Sequence, residues 1–86
     1  MDTKQLNLNA LTMSEALALF DEKTAKSVCD FTNTLWSHNM TVGIKLMLDT
    51  GHKKYAERCI NTYIEAMMDE CKVQAIDVLA VLDLLV

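Results

Sequence analysis

The chain has 86 residues, a net charge of −4, no proline, two glycines, 51% hydrophobic and 6% aromatic side chains. That length fits one domain, residues 1–86, and the wealth of Leu, Ala, Met, Lys and Glu without breakers predicts helix. An acidic chain gains no general phosphate attraction, so a nucleic acid is disfavoured as its main partner.

The start, MDTKQLNLNA, lacks the charged-then-apolar order of a secretory signal. The longest apolar run, VLAVLDLLV, is too short to cross a bilayer and contains Asp83. A soluble, cytoplasmic chain without membrane contact is expected. The three cysteines have no C-x-x-C spacing, so they read as reduced, small apolar residues.

Residues 2–11 alternate: Leu6, Leu8 and Ala10 on one side, Gln5, Asn7 and Asn9 on the other. A short edge strand fits this period, and an irregular arm whose leucines dock on helices fits better. Carboxamides on a β-ribbon could pair with adenines, but only Lys4 lies nearby to support a phosphate backbone.

Thr12 and Glu15 match a capping box. Behind them Leu17, Phe20, Thr24, Val28, Phe31 and Leu35 follow helical spacing and form one stripe. The unbroken pattern predicts one helix over 13–37. The alternative is two helices, with Asp21 capping the second.

The polar SHNM at 37–40 predicts a turn, because Ser and Asn compete for the helical backbone. Thr41 would then cap a short helix. Val42, Ile44, Leu46, Met47 and Leu48 leave that segment almost no polar face, so burial is expected, as a helix or as a strand. Gly51 would end it in the left-handed conformation.

From His52 to Val86 there is no breaker. A single helix would run about 50 Å at 1.5 Å per residue, so a break near DECK is expected. Tyr55, Ala56, Cys59, Ile60, Tyr63, Ile64, Met67 and Cys71 make an apolar face. Lys54, Arg58, Asn61, Glu65, Asp69 and Lys72 lie opposite. The final VQAIDVLAVLDLLV needs cover on several sides.

The stretch DTGHKKYAERC gathers Lys53, Lys54 and Arg58, three of the eight basic residues, at a helix start. The dipole disfavours cations there, and Asp69 and Glu70 stand at the equally disfavoured far end. The bland reading is a solvated helix start whose lysines touch nothing, as charge runs usually are; otherwise both mismatches ask for a partner. Two antiparallel copies would set Lys53, Lys54 and Arg58 against Glu65, Asp69 and Glu70, the arrangement a two-fold homodimer uses. A small anion at this helix start is a weaker reading, since the G-x-x-x-x-G-K-[ST] pattern is absent. A third is a nucleic-acid backbone, because VGIKLMLDTGHKKYAERCINTY has the broad outline of a helix-turn-helix.

No pair of histidines or cysteines has zinc-site spacing: His38 and His52 are separated by a turn, and Cys59 and Cys71 diverge around the helix. Cys29, Cys59 and Cys71 lie on apolar faces, where thiols are inert. Neither metal, cofactor nor catalytic residue is predicted. Met47, Met67 and Met68 read as core filling first and as an adaptable groove second.

The expectation is an all-α fold, a small bundle of three to five helices with 1–11 as an extended arm. Its role would be a non-catalytic interaction module: an adaptor, inhibitor or assembly factor working as a homodimer. Its partner-binding residues would be Lys53, Lys54, Arg58, Glu65, Asp69 and Glu70. The apolar part of the interface would be Met67, Met68, Val78, Leu82 and Leu85. The alternative is a small nucleic-acid-binding regulator using 51–58.

Overall fold

The computed structural model describes residues 13–86. The expected arm, its alternation, the adenine-reading ribbon and the Thr12 cap lie outside these residues. Among them are five helices and no strand: α1 Met13–Leu17, α2 Glu22–Thr32, α3 Leu35–Asp49, α4 Lys53–Cys71 and α5 Ala75–Leu85. The fold is all-α, a small helical bundle.

The expected single helix over 13–37 is not formed. The chain turns at residues 18–20, and Asp21 restarts it as the alternative reading had it. The Asp21 carboxylate accepts from the Thr24 backbone N–H at 2.7 Å, which holds its pKa below the ordinary 3.8. A satisfied cap competes here with apolar periodicity, and the cap wins.

The turn predicted at 37–40 is also displaced, to residues 33–34. Thr34, not Thr41, caps α3: its hydroxyl accepts from the Ser37 N–H at 3.1 Å. Residues 37–41 stay helical because their polar groups find partners without breaking the backbone. Thr41 donates to the His38 carbonyl at 3.1 Å, and Ser37 bonds Tyr63.

Gly51 ends α3 as expected, with φ +83°. The break near DECK is present: α4 stops at Cys71, and Lys72 takes the left-handed conformation at φ 57°. Lys72 still donates its N–H to the Met68 carbonyl at 2.9 Å, closing the last turn.

α4 is the central helix, packed against α2, α3 and α5, while α1 closes over α5. Its inner face carries Ala56, Tyr63, Met67 and Cys71, which join Val28, Ile44, Val73, Val78, Val81 and Leu82 in the core. The alternate apolar and polar faces read from the sequence hold for α4, except that Tyr55 is exposed. The body measures 37 × 37 × 20 Å. Its short dimension fits two helix diameters of about 10 Å, so every helix keeps one face outward.

That thinness overturns two further expectations. Residues 42–48 are not buried all round: only Ile44 reaches the core, while Val42, Leu46 and Leu48 are exposed. On α5, Ile76 and Leu79 likewise face outward. Leu35, expected at the end of the inner stripe, points away from it because α3 starts a new helix with its own register.

Candidate protein-interaction surface

Lys53, Lys54 and Arg58 are all exposed at the start of α4, and Glu65, Asp69 and Glu70 are all exposed towards its end. Lys53 and Glu70 are about 25 Å apart along the axis at 1.5 Å per residue, and the nearest members, Arg58 and Glu65, about 10 Å. Among the described residues neither group forms an ion pair. Arg58 instead lies over the Tyr55 ring, 5.9 Å from its centroid.

The start of α4 has no side-chain cap. His52 occupies the cap position, but its ring Nδ1 is 2.8 Å from the Thr50 hydroxyl, which donates to the Leu46 carbonyl. The lysines therefore stand beside uncapped amides, an unfavourable arrangement locally.

The acidic end of α4 borders an open groove of about 530 Å³. Phe31, Trp36 and Ala66 supply its apolar lining; Asp30, Asp69 and Glu70 supply carboxylates. Its aromatic wall is preorganised. Trp36 stacks on Tyr63 with centroids 5.7 Å apart and planes 5° from parallel. Phe31 meets both rings edge-on, at 5.8 and 5.5 Å. Tyr63 is fully buried and anchored to Ser37, so it holds one face of Trp36, while the indole remains 43% exposed. Asp30 is engaged by Lys26 at 3.1 Å. Little in the sequence signals this groove, because its walls come from α2, the displaced turn at Thr34, Trp36 at the start of α3, and α4.

The expected apolar interface divides. Met67, Val78 and Leu82 belong to the core of the single chain and are unavailable to a partner. Leu85 is partly buried against that core. Only Met68 is exposed. The reason is that α4 and α5 pack on each other with those residues between them.

A different apolar stripe stands open. Leu35, Val42 and Leu46, at spacings of seven and four, share the outer line of α3, opposite Ile44 and Ser37. They are 75%, 53% and 62% exposed. Asn39 falls on the same line. The spacing carries the signal for this stripe, which a turn at 37–40 would interrupt.

No group of three or more metal-ligating side chains converges among the described residues. Cys29, Cys59 and Cys71 are free thiols. Burial pushes the Cys71 thiol above its ordinary pKa, and a Ser27 hydrogen bond opposes this. That environment keeps the sulfur protonated and unreactive. Among the described residues no helix is long and apolar enough to cross a membrane.

No protein-family model matches this chain, and neither curated proteins nor solved structures provide a match.

Proposed function

We propose that the chain is a non-catalytic protein-interaction module, an adaptor, inhibitor or assembly factor that pairs with a second copy and docks a helix on a partner. The observation that carries this reading is the outer stripe of α3. Three large aliphatic side chains on one helical line are more than half exposed, and covering them releases apolar surface from water. The opposite-signed ends of α4, neither of which forms an ion pair among the described residues, support pairing between copies.

Two measurements test it. Sedimentation equilibrium over a concentration series should show mass rising above the 9.7 kDa monomer. Capture from native lysate, followed by mass measurement of the complex, should retain a protein that is lost with Val42→Glu/Leu46→Glu. A native chain that neither self-associates nor captures protein sinks the reading.

The exposed Lys53, Lys54 and Arg58 favour one second reading, a small nucleic-acid-binding regulator. In that case capture would retain nucleic acid, weaken steeply with salt, and fail with Lys53→Glu/Lys54→Glu.

A further inference from the structure

We infer that the groove between α2 and the acidic end of α4 is filled by Arg58 and Tyr55 of a second copy, paired antiparallel about Thr62. This rests on the self-association proposed above and specifies where it occurs.

Tyr55, Arg58, Thr62, Ala66 and Asp69 recur at spacings of three, four, four and three. At about 100° per residue they fall on one line along α4. Four of them are exposed, and Ala66 is half-buried. The spacing reads the same from either end, with Thr62 at its centre. A two-fold axis beside Thr62 therefore sets Arg58 of one copy opposite Ala66 of the other, and Tyr55 opposite Asp69. Thr62 and Ala66 are small, which lets the helix axes approach to roughly 8 Å.

Ala66 and Asp69 are also walls of the groove. An arginine arriving over Ala66 enters between Asp69, Glu70 and Asp30 and reaches Trp36, which lines the same groove and is 43% exposed. A guanidinium suits this setting on both counts: its fork hydrogen-bonds carboxylates, and its plane stacks on an indole. The groove's own helix cannot supply that cation, since Arg58 lies two turns away and is held over Tyr55. Lys54 and Lys53 follow Arg58 towards Asp69 and Glu70, so the flanking charges agree in sign. Because the same surface is used twice, the assembly closes at two copies.

Trp36 is the sole tryptophan, so its fluorescence reports on the groove directly. Sedimentation equilibrium and acrylamide quenching would be measured together on the full chain, with circular dichroism to confirm folding. The native dimer should protect Trp36 from quencher as it forms. Arg58→Glu and Asp69→Arg should each weaken dimerisation at least about tenfold and leave Trp36 accessible. Mixing the two variants should restore both the dimer and the protection, since each copy then offers the charge the other lacks. If both variants dimerise like the native chain, or the mixture gains nothing over its components, the groove is not the pairing site, although self-association stands. If the native chain remains monomeric at every concentration, the self-association reading falls with it.

Discussion

The hydroxyl oxygens of Ser37 and Tyr63 lie 2.5 Å apart, buried, and link α3 to α4 across 26 positions of sequence. The bond satisfies two polar groups that would otherwise be stranded in an apolar core. It also fixes the ring on which Trp36 stacks, so the groove wall depends on it.

Removing both partners should therefore cost less than the two single losses added together. Ser37→Ala or Tyr63→Phe alone leaves a buried hydroxyl unpaired, at about 1–3 kcal/mol. The double variant should lose clearly less than the sum of the two. Urea unfolding of all four proteins gives the coupling directly, and strict additivity would show that the bond contributes nothing.

Neighbouring residues of α3 should behave oppositely. Ile44 is fully buried, and Ile44→Ala should cost about 2–5 kcal/mol by leaving a cavity. Leu46→Glu, on the outer stripe, should shift stability by no more than about 0.5 kcal/mol. Denaturant midpoints check this, and a large loss at Leu46 would mean that the stripe is covered within the chain.

The two left-handed positions predict changes of opposite sign. Nothing lies within 4 Å of a Cβ added at Gly51, so Gly51→Ala is purely a conformational penalty, about 1 kcal/mol. Lys72 pays the same kind of penalty in the native chain. Lys72→Gly should stabilise by about 0.5–1 kcal/mol. Thermal unfolding of the two variants should move in opposite directions.

Stability should fall on the alkaline side. Burial raises Tyr63 above 10.0 and Cys71 above 9.0. The folded state then holds those protons more tightly than the unfolded chain. The stabilisation is complete below the unfolded values and is lost as pH rises through them towards the folded ones. Unfolding free energy should decline from about pH 9 upward. Tyr63→Phe should flatten the part of the profile above pH 10.0.

At the acid end Asp21 acts in the other sense. Its folded pKa is lowered, so its contribution is present above 3.8 and disappears as pH falls through the folded value. Asp21→Asn retains a capping oxygen and should remove this part of the acid profile, measured by denaturant midpoint between pH 5 and pH 2.

The helical class, the Gly51 stop, the break after Cys71 and the inner face of α4 are legible in the sequence. Each of these is local: propensity, a left-handed residue or a 3.6-residue repeat. Tertiary structure decided the rest. SHNM stays helical because Tyr63, far along the chain, bonds Ser37. Met67, Val78 and Leu82 become core, and Leu35, Val42 and Leu46 become surface, because a body two helices thick can hide only one side of each helix. Apolar periodicity identifies a face, and only packing decides whether that face looks inward. The charges of α4 were legible as a reversed dipole pattern. The placing of Asp69 and Glu70 beside an aromatic groove was not, since Trp36 and Phe31 reach the Asp69 end only after α2 and α3 fold back against α4.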